Sequence, residues 1–297
     1  VLCGNPGFCE YHGRDRVIST PKGYAYLKIA DGCDNRCTYC VIPSLRGRYR
    51  SRRLEDILDE AAYLVESGAK EIILVAQDTT RYGLDIYGEY RLAPLLHELG
   101  KIEKLYWIRT LYFYPDEVDD PLIEEMARNP KVCKYIDLPV QHASDRILKR
   151  MGRRTSKADI KKLIKKIREM IPGLVLRTSI ITGFPGEDEN DFNELAGFVK
   201  EMEFENLGVF IYSKEEGTPA AKLKNPVKKN VKKKRYESIM ALQKEIVKRK
   251  NSNRVNKTYT VLVEGIADDG IFYYGRSYAE APGIDGIIYF TSTRPVE

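Results

Sequence analysis

Residues 24–40 read YAYLKIADGCDNRCTYC, an apolar run that is followed at once by three closely spaced cysteines. The run from Tyr24 to Ala30 is rich in Tyr, Leu and Ile, which is typical of a β-strand. Cys33, Cys37 and Cys40 occupy the loop after it. In a βα barrel, the loops that follow the strands build the active site. The spacing therefore predicts metal chemistry at the carboxyl end of the first strand.

Apolar runs alternate with amphipathic stretches up to about residue 212, and this pattern predicts βα units that build a parallel sheet. We expect six strands, at Tyr24–Ala30, Glu71–Ala76, Leu105–Leu111, Tyr135–Leu138, Leu174–Ile181 and Leu207–Tyr212. Between them we expect helices at Leu54–Ser67, Leu92–Leu99, Asp119–Asn129, Lys157–Ile171 and Asp188–Glu203. Six such units in roughly 190 residues favour a partial barrel, because the eight-stranded barrel typically needs ~250 residues.

Charge divides the remainder of the chain. Residues 222–257 carry 14 Lys and Arg against 2 Asp and Glu, and Val231–Lys250 is predicted as a long basic helix. Residues 258–297 carry a net charge of −4 and alternate apolar with polar residues, which predicts a small antiparallel β module. We expect a truncated module, since its last strand has no closing partner. The predicted domains are an extension at 1–20, the partial barrel at 21–221, a basic linking helix at 222–257 and the β module at 258–297.

Composition excludes several classes of protein. Of the 297 residues, 43% are hydrophobic and 31% are charged, which is globular and excludes a disordered chain. No apolar run reaches the ~20 residues of a membrane span, and the first residues lack the pattern of a secretion signal. Six cysteines are too few for a secreted disulfide scaffold. We therefore expect a cytoplasmic protein without a membrane partner.

The three clustered cysteines admit more than one interpretation. Three thiolates suit three irons of a 4Fe–4S cluster and leave the fourth iron open to a small molecule. A structural zinc site needs four ligands in a closed tetrahedron, and His12, His97 and His142 all lie far away in sequence. The residues favour the open cluster. The alternatives are inert thiols and, from another functional class, a zinc-containing nucleic-acid-binding protein.

The chain resembles the radical S-adenosylmethionine (SAM) superfamily and, within it, the methylthiotransferases. The resemblance rests on the spacing Cys33-x-x-x-Cys37-x-aromatic-Cys40, in which Tyr39 is the aromatic residue. It extends from about residue 20 to the C-terminus, through a β module similar to the TRAM domain. The other matching stretches are EIILVAQDTTRYG, DLPVQHASDRILKRMGR, RTSIITGFPGE and YSKEEGTPA.

Three short stretches separate two branches of that family. The tRNA-modifying branch carries Gln-Asn-Val-Asn after the second strand and Gln-Ser-Gly-Ser after the fourth, whereas this chain has QDTT at 77–80 and QHAS at 141–144. Together with EAPGIDG at 280–286, these resemble the RimO-type branch. The resemblance implies a transferase that adds a methylthio group to the β-carbon of an aspartate in a small-subunit ribosomal protein. A tRNA adenosine methylthiotransferase is the alternative.

The resemblance also implies the cofactors. Cys33, Cys37 and Cys40 would hold a 4Fe–4S cluster whose open iron chelates SAM, and reductive cleavage of SAM would give a 5′-deoxyadenosyl radical that removes hydrogen from the target carbon. The expected partners are the ribosomal protein or the ribosome and a flavodoxin-like electron donor. A second 4Fe–4S cluster would belong to a missing N-terminal domain, whose spacing Cys3 and Cys9 do not reproduce. We therefore expect a fragment that cleaves SAM without completing methylthiolation.

Polar residues at the predicted strand ends are candidates for contact with the cofactor. Gln77 and Asp78 end the second strand, and the resemblance implies that polar residues at this place hold the SAM amino group. Capping of the next turn is the alternative. Arg177 and Ser179 share a face of the fifth strand and are predicted to contact the SAM carboxylate or ribose. A structural ion pair is the alternative for Arg177. The resemblance adds Tyr39 to the cofactor-binding set.

Two further regions are candidates for contact with substrate or partner. Gln141 and His142 end the fourth strand and are predicted to face the substrate, although a lone histidine is more often structural. The stretch from Lys228 to Arg235 is predicted as a solvated helix face, with RNA contact as the alternative. The acidic β module favours a basic partner such as a ribosomal protein.

Overall fold

The computed structural model describes residues 17–21 and 23–296, so Cys3, Cys9 and most of the predicted extension at 1–20 lie outside the described residues. Six parallel strands carry the larger domain. They are β1 (Tyr24–Lys28), β2 (Glu71–Val75), β3 (Trp107–Thr110), β4 (Tyr135–Asp137), β5 (Val175–Thr182) and β6 (Asn206–Ile211).

The six strands follow one another in sequence order and form two three-stranded parallel sheets. β2 lies between β1 and β3, and β5 lies between β4 and β6. Two hydrogen bonds link the halves: Ile108 N donates to Lys131 O at 2.7 Å, and Cys133 N donates to Ile108 O at 2.9 Å. Among the described residues, no strand pairing joins β6 back to β1. The predicted partial barrel is confirmed.

Amphipathic helices cover the outside of the sheet. The helices Lys157–Met170 and Glu189–Met202 begin with capping boxes, in which Ser156 and Asp188 accept hydrogen bonds from the backbone N–H groups of Asp159 and Asp191. No helix within residues 17–21 and 23–296 combines the length and hydropathy needed to cross a bilayer. The helices are α1 (Leu54–Glu66), α2 (Leu92–Gly100), α3 (Asp120–Arg128), α4 (Lys157–Met170), α5 (Glu189–Met202) and the linking helix α6 (Lys229–Ser252).

The predicted strands and helices of the barrel are all present, with ends that differ by at most two residues. The sequence pattern missed the shorter elements, because a few residues carry too little periodicity to detect. These are the paired strands Ala30–Asp31 and Arg50–Ser51, the helices Ile42–Arg46, Leu84–Tyr87 and Asp145–Arg150, and the 3-10 turns Pro115–Glu117 and Pro219–Lys222.

The C-terminal module is antiparallel, as expected. Its strands β7 (Leu262–Ile266), β8 (Tyr273–Arg276) and β9 (Ile288–Phe290) pair in the order β9-β8-β7. The loop 277–286, here called the plug loop, leaves this small sheet and enters the barrel. Its Ala279 and Ala281 are buried in an apolar cluster that barrel residues build. Those barrel residues include Ile73, Leu111, Cys133, Tyr135 and Val175.

A buried ion cluster holds the module against the barrel. The Glu71 carboxylate of β2 is fully buried and binds Arg109 Nε at 2.6 Å and Arg276 Nη2 at 2.7 Å. Arg109 Nη1 donates to the carbonyl of Tyr278 in the plug loop at 2.8 Å. The module is therefore connected to the inside of the barrel through residues that are remote in sequence.

Candidate functional site

A cavity of about 610 Å³ opens at the carboxyl ends of the strands, and Cys33, Cys37 and Cys40 all line it. All three thiols are free and partly exposed. Of the described residues that line this cavity, none is a histidine or a fourth cysteine. The structure therefore brings the three predicted metal ligands together at the face of the barrel where active sites are built.

The cysteine loop depends on Gly32. This residue has a φ of +76°, and a Cβ atom added there would lie 2.1 Å from the carbonyl oxygen of Arg48. A residue with a side chain would meet both backbone strain and a steric clash. Cys33 N then donates to Gly47 O at 3.2 Å, which closes the loop over the following turn.

A second turn fixes the other side of the cysteine loop. Thr38 N donates to Met151 O at 2.9 Å, and Thr38 Oγ1 donates to Arg150 O at 2.8 Å. Gly152 has a φ of +73°, and a Cβ there would lie 2.6 Å from the carbonyl oxygen of Arg36. The loop after the fourth strand is thereby held against the cysteines.

That turn delivers Arg153 to the cavity, a residue that sequence reasoning missed. Its guanidinium lies 4.0 Å from the centroid of the Tyr114 ring, and its Nη1 lies 3.9 Å from Cys37 Sγ. Tyr114 also lines the cavity, with its hydroxyl 3.9 Å from the same sulfur. The matching stretch DLPVQHASDRILKRMGR ends at Arg153 and was the only available signal.

Burial sets the protonation of the site. It raises the pKa of the Cys33 thiol to about 11 and also raises the pKa of Cys40. Burial likewise raises the pKa of the Tyr39 phenol, so Tyr39 is a neutral wall residue at physiological pH. Metal ligation requires thiolates, and the metal must therefore displace the thiol protons as it binds.

The three thiols are arranged around one cavity. Within the described residues, no three Cys, His, Asp or Glu side chains are arranged to hold a single metal ion. A 4Fe–4S cluster instead takes each thiolate on a different iron, so it needs a cavity bordered by three separate thiols. The cavity between Cys33, Cys37 and Cys40 meets that requirement.

Gln77 and Asp78 have different surroundings. Gln77 lines the cavity, and its Oε1 is buried without a hydrogen-bond partner, so it is available to a bound donor. Asp78 is 1% exposed and accepts hydrogen bonds from Asn35 Nδ2 at 2.7 Å and Thr80 Oγ1 at 2.6 Å. Burial raises the pKa of this carboxyl group. Asp78 thus supports the cysteine loop through Asn35, and its contact with SAM stays a prediction.

Arg177 and Ser179 are not among the described residues that line the cavity. Arg177 Nη1 binds Asp137 Oδ1 at 2.7 Å, and its Nε lies 3.8 Å from Asp285 Oδ1 of the plug loop. The ion pair that sequence reasoning gave as the alternative for Arg177 is therefore present. Contact of either residue with SAM stays a prediction.

Gln141 and His142 point in different directions. Gln141 lines the cavity and has a φ of +69°. His142 is fully buried, and its Nδ1 accepts a hydrogen bond from Ser144 N at 2.9 Å while its Nε2 lies 3.5 Å from Glu187 Oε2. The structure places His142 in the protein interior, and its predicted contact with substrate remains untested.

The plug loop completes the cavity wall. Ile284 lines the cysteine cavity and also a neighbouring groove between β6, α6 and the plug loop. Asp285 accepts a hydrogen bond from Tyr135 Oη at 2.6 Å, which fixes the loop against β4. The stretch EAPGIDG at 280–286 was predicted only to mark one family branch, whereas the structure places its Ile284 in the cavity wall.

Two protein-family models match the chain. The family model of the radical SAM superfamily matches residues 27–199, and that of the TRAM domain matches residues 255–297. The chain belongs to the radical SAM superfamily. Membership of this superfamily implies a 4Fe–4S cluster and SAM as cofactors, as the resemblance implied.

Curated relatives place the chain in the RimO family of methylthiotransferases within the radical SAM superfamily. It is 58% identical over 288 residues to ribosomal protein uS12 methylthiotransferase RimO of Acetivibrio thermocellus, with 97% of this chain and 64% of that protein covered. It is 51% identical to the RimO of a Thermoanaerobacter species, with 99% and 67% covered. The chain thus spans about two thirds of the length of these relatives.

Solved radical SAM structures share the fold. The radical SAM methyltransferase TsrM from Kitasatospora setae, with cobalamin and a [4Fe-4S] cluster bound, matches with a TM-score of 0.55 and 19% identity, over 67% of this chain and 38% of that one. Coproporphyrinogen III oxidase HemN from Escherichia coli matches with a TM-score of 0.56 and 16% identity, over 81% and 57%. At these identities the likeness concerns the fold alone.

Proposed function

We propose that this chain carries the radical SAM step of a methylthiotransferase that acts on the β-carbon of an aspartate in ribosomal protein uS12. The observation that carries the proposal is the meeting of three free cysteines in one cavity at the strand ends of a partial barrel. The substrate is inferred from the names of the relatives, whose identity to this chain exceeds 50% over nearly all of its length.

The cavity residues fit the proposed cofactors. Cys33, Cys37 and Cys40 would hold the cluster, and Gln77 Oε1, buried without a partner, would accept from the amino group of SAM. When bound, these groups supply a carbon-centred radical by reductive cleavage of SAM. Aromatic and apolar side chains form much of the wall, so they exclude water from a reactive centre. They are Tyr26, Tyr39, Ile42, Val75, Leu111, Phe113 and Tyr114.

We further infer that the electron donor is a flavodoxin-like protein and that the enzyme works in the cytoplasm, where its substrate is made. The second 4Fe–4S cluster belongs, in this proposal, outside residues 17–296. Hydrogen removal from the aspartate needs only the first cluster and SAM, so it can be tested without a sulfur source.

The test uses uS12 that carries aspartate deuterated at the β-carbon. The reconstituted chain is incubated anaerobically with this protein, SAM and dithionite, and the 5′-deoxyadenosine formed is analysed by mass spectrometry. We expect one deuterium in 5′-deoxyadenosine, because the radical removes its hydrogen from that carbon. A uS12 variant with the target aspartate replaced by alanine is the control and should transfer none.

Two outcomes would contradict the assignment. A deuterium content of 5′-deoxyadenosine no higher than with the alanine control would show that the radical does not remove hydrogen from this carbon. Deuterium transfer from base-labelled tRNA, with none from uS12, would favour the tRNA adenosine methylthiotransferase.

A further inference from the structure

Arg153 is a buried cation on the wall of the cysteine cavity. Its side chain is fixed on two sides, because Nη2 donates to Pro139 O at 2.9 Å and the guanidinium stacks on the Tyr114 ring at 4.0 Å. This orientation leaves Nη1 directed at Cys37 Sγ, 3.9 Å away. The residue is 9% exposed, so water screens its charge poorly.

The charge of Arg153 lacks the compensation that the other buried arginines have. Arg52, Arg109, Arg235 and Arg276 each form an ion pair with a glutamate at 2.6–2.7 Å. Within the part of the chain that the structure describes, no carboxylate forms an ion pair with Arg153, and its Nε has no hydrogen-bond partner. A buried unpaired charge costs free energy of folding, so an anion bound inside the cavity would stabilise Arg153.

The neighbouring arginine provides the contrast. Arg154 lies over the same Tyr114 ring at 5.0 Å, but its side chain is 49% exposed and binds the carboxylates of Asp116 and Glu117. The charge of Arg154 is thus neutralised by carboxylates away from the cavity. The charge of Arg153 is uncompensated and lies on the cavity wall, next to a thiol that ligates metal in the proposed function.

We propose that Arg153 is a positioning residue that donates a hydrogen bond to the Cys37 thiolate and makes the bound cluster easier to reduce. The inference rests on the proposed function, in which Cys37 holds one iron. Reduction adds one electron, supplied by an external donor, and hence one negative charge to the cluster. A fixed positive charge and a hydrogen bond to a ligand sulfur both stabilise the reduced state and raise the reduction potential.

Geometry explains why the residue is arginine. The planar guanidinium can stack on Tyr114, bind the Pro139 carbonyl and direct a third N–H at sulfur at the same time. A lysine would keep the charge but lose the stacking and at least one of the two hydrogen bonds. We therefore expect Arg153→Lys to preserve part of the effect.

The test is a redox titration of the reconstituted cluster, followed by EPR, without SAM. The variants are Arg153→Met and Arg153→Gln, which remove the charge, Arg153→Lys, which keeps it, and Arg154→Met as the matched control. In the two neutral variants we expect the ratio of reduced to oxidised cluster at a fixed potential to fall roughly tenfold or more, since a hydrogen bond to a charged group has about that weight. The ratio in Arg153→Lys should lie between those of the neutral variants and wild type, and the ratio in Arg154→Met should equal that of wild type.

Iron and sulfide content per chain separates the possible failures. A wild-type chain that assembles no cluster would refute the proposed function itself. A fully loaded Arg153→Met or Arg153→Gln protein with the wild-type midpoint potential would overturn the role of Arg153 alone. If neither neutral variant assembles a cluster, Arg153→Lys decides between two roles. A cluster in Arg153→Lys supports the role of the charge. No cluster in Arg153→Lys would show that Arg153 acts only through its packing, and would overturn the proposal.

Discussion

Replacing Cys33, Cys37 or Cys40 singly by alanine is expected to abolish assembly of the 4Fe–4S cluster and, with it, cleavage of SAM to background. Each thiolate holds a different iron, and the cavity offers no further cysteine among its described lining residues. The fold should survive, because the three side chains are only partly buried and belong to a loop. The measurement is iron and sulfide content after anaerobic reconstitution, together with formation of 5′-deoxyadenosine.

Cys133 is the matched control for the three cysteines. It is 2% exposed, packs in the barrel interior near Ala279, and lies outside the cysteine cavity. Burial raises the pKa of its thiol to about 12, so it is an inert buried thiol. Cys133→Ala should retain the full cluster and full SAM cleavage. A cluster that persists in the Cys37→Ala variant, or disappears in Cys133→Ala, would contradict the assignment of the ligands.

The second large effect is expected at Glu71, outside the active site. Glu71→Ala should lower the free energy of unfolding by about 3–5 kcal/mol, because it leaves the buried Arg109 without a carboxylate. Arg276 would lose one of its two carboxylates and keep Glu264 at 2.6 Å. Arg109 and Arg276 are 0% and 1% exposed, so neither can be resolvated without opening the interface between the barrel and the β module. Urea denaturation measures the loss, and faster proteolysis within residues 258–297 would show that the module has been released.

An exposed ion pair supplies the control for Glu71. Glu201 binds Lys161 with side-chain exposures of 54% and 33%, so Glu201→Ala should change the free energy of unfolding by only about 0–1 kcal/mol. Glu71→Gln keeps the size of the side chain but loses the charge, so its loss in free energy of unfolding should lie between those of Glu71→Ala and Glu201→Ala. If Glu71→Ala were as stable as Glu201→Ala, the buried ion cluster would not hold the module in place.

Local patterns in the sequence predict the parts of this structure that depend on neighbouring residues. The six strands follow from apolar runs that end at turn residues, and the cysteine loop follows from the spacing of Cys33, Cys37 and Cys40. Gly32, directly before the first of these cysteines, permits the tight loop with its φ of +76°. Each of these features is encoded within about ten consecutive residues.

The features that the sequence did not predict depend on contacts between distant segments. Arg276 binds Glu71 across 205 positions, and the plug loop contacts barrel residues that are also remote in sequence. Arg153 reaches Cys37 across 116 positions, through a turn at Gly152 that fits under the cysteine loop. His142 was predicted from its place at a strand end, but the direction of a side chain there depends on the packing of Glu187 and Ser144 around it.

The most direct test of the account is EPR of the anaerobically reconstituted, dithionite-reduced wild-type chain, recorded with and without SAM. We predict the signal of one reduced 4Fe–4S cluster per chain and a change in that signal when SAM is added, because the three cysteines leave one iron open to the cofactor. Stoichiometric zinc with no such signal, or a cluster signal that SAM leaves unchanged, would contradict an open-site cluster in the cavity of Cys33, Cys37 and Cys40.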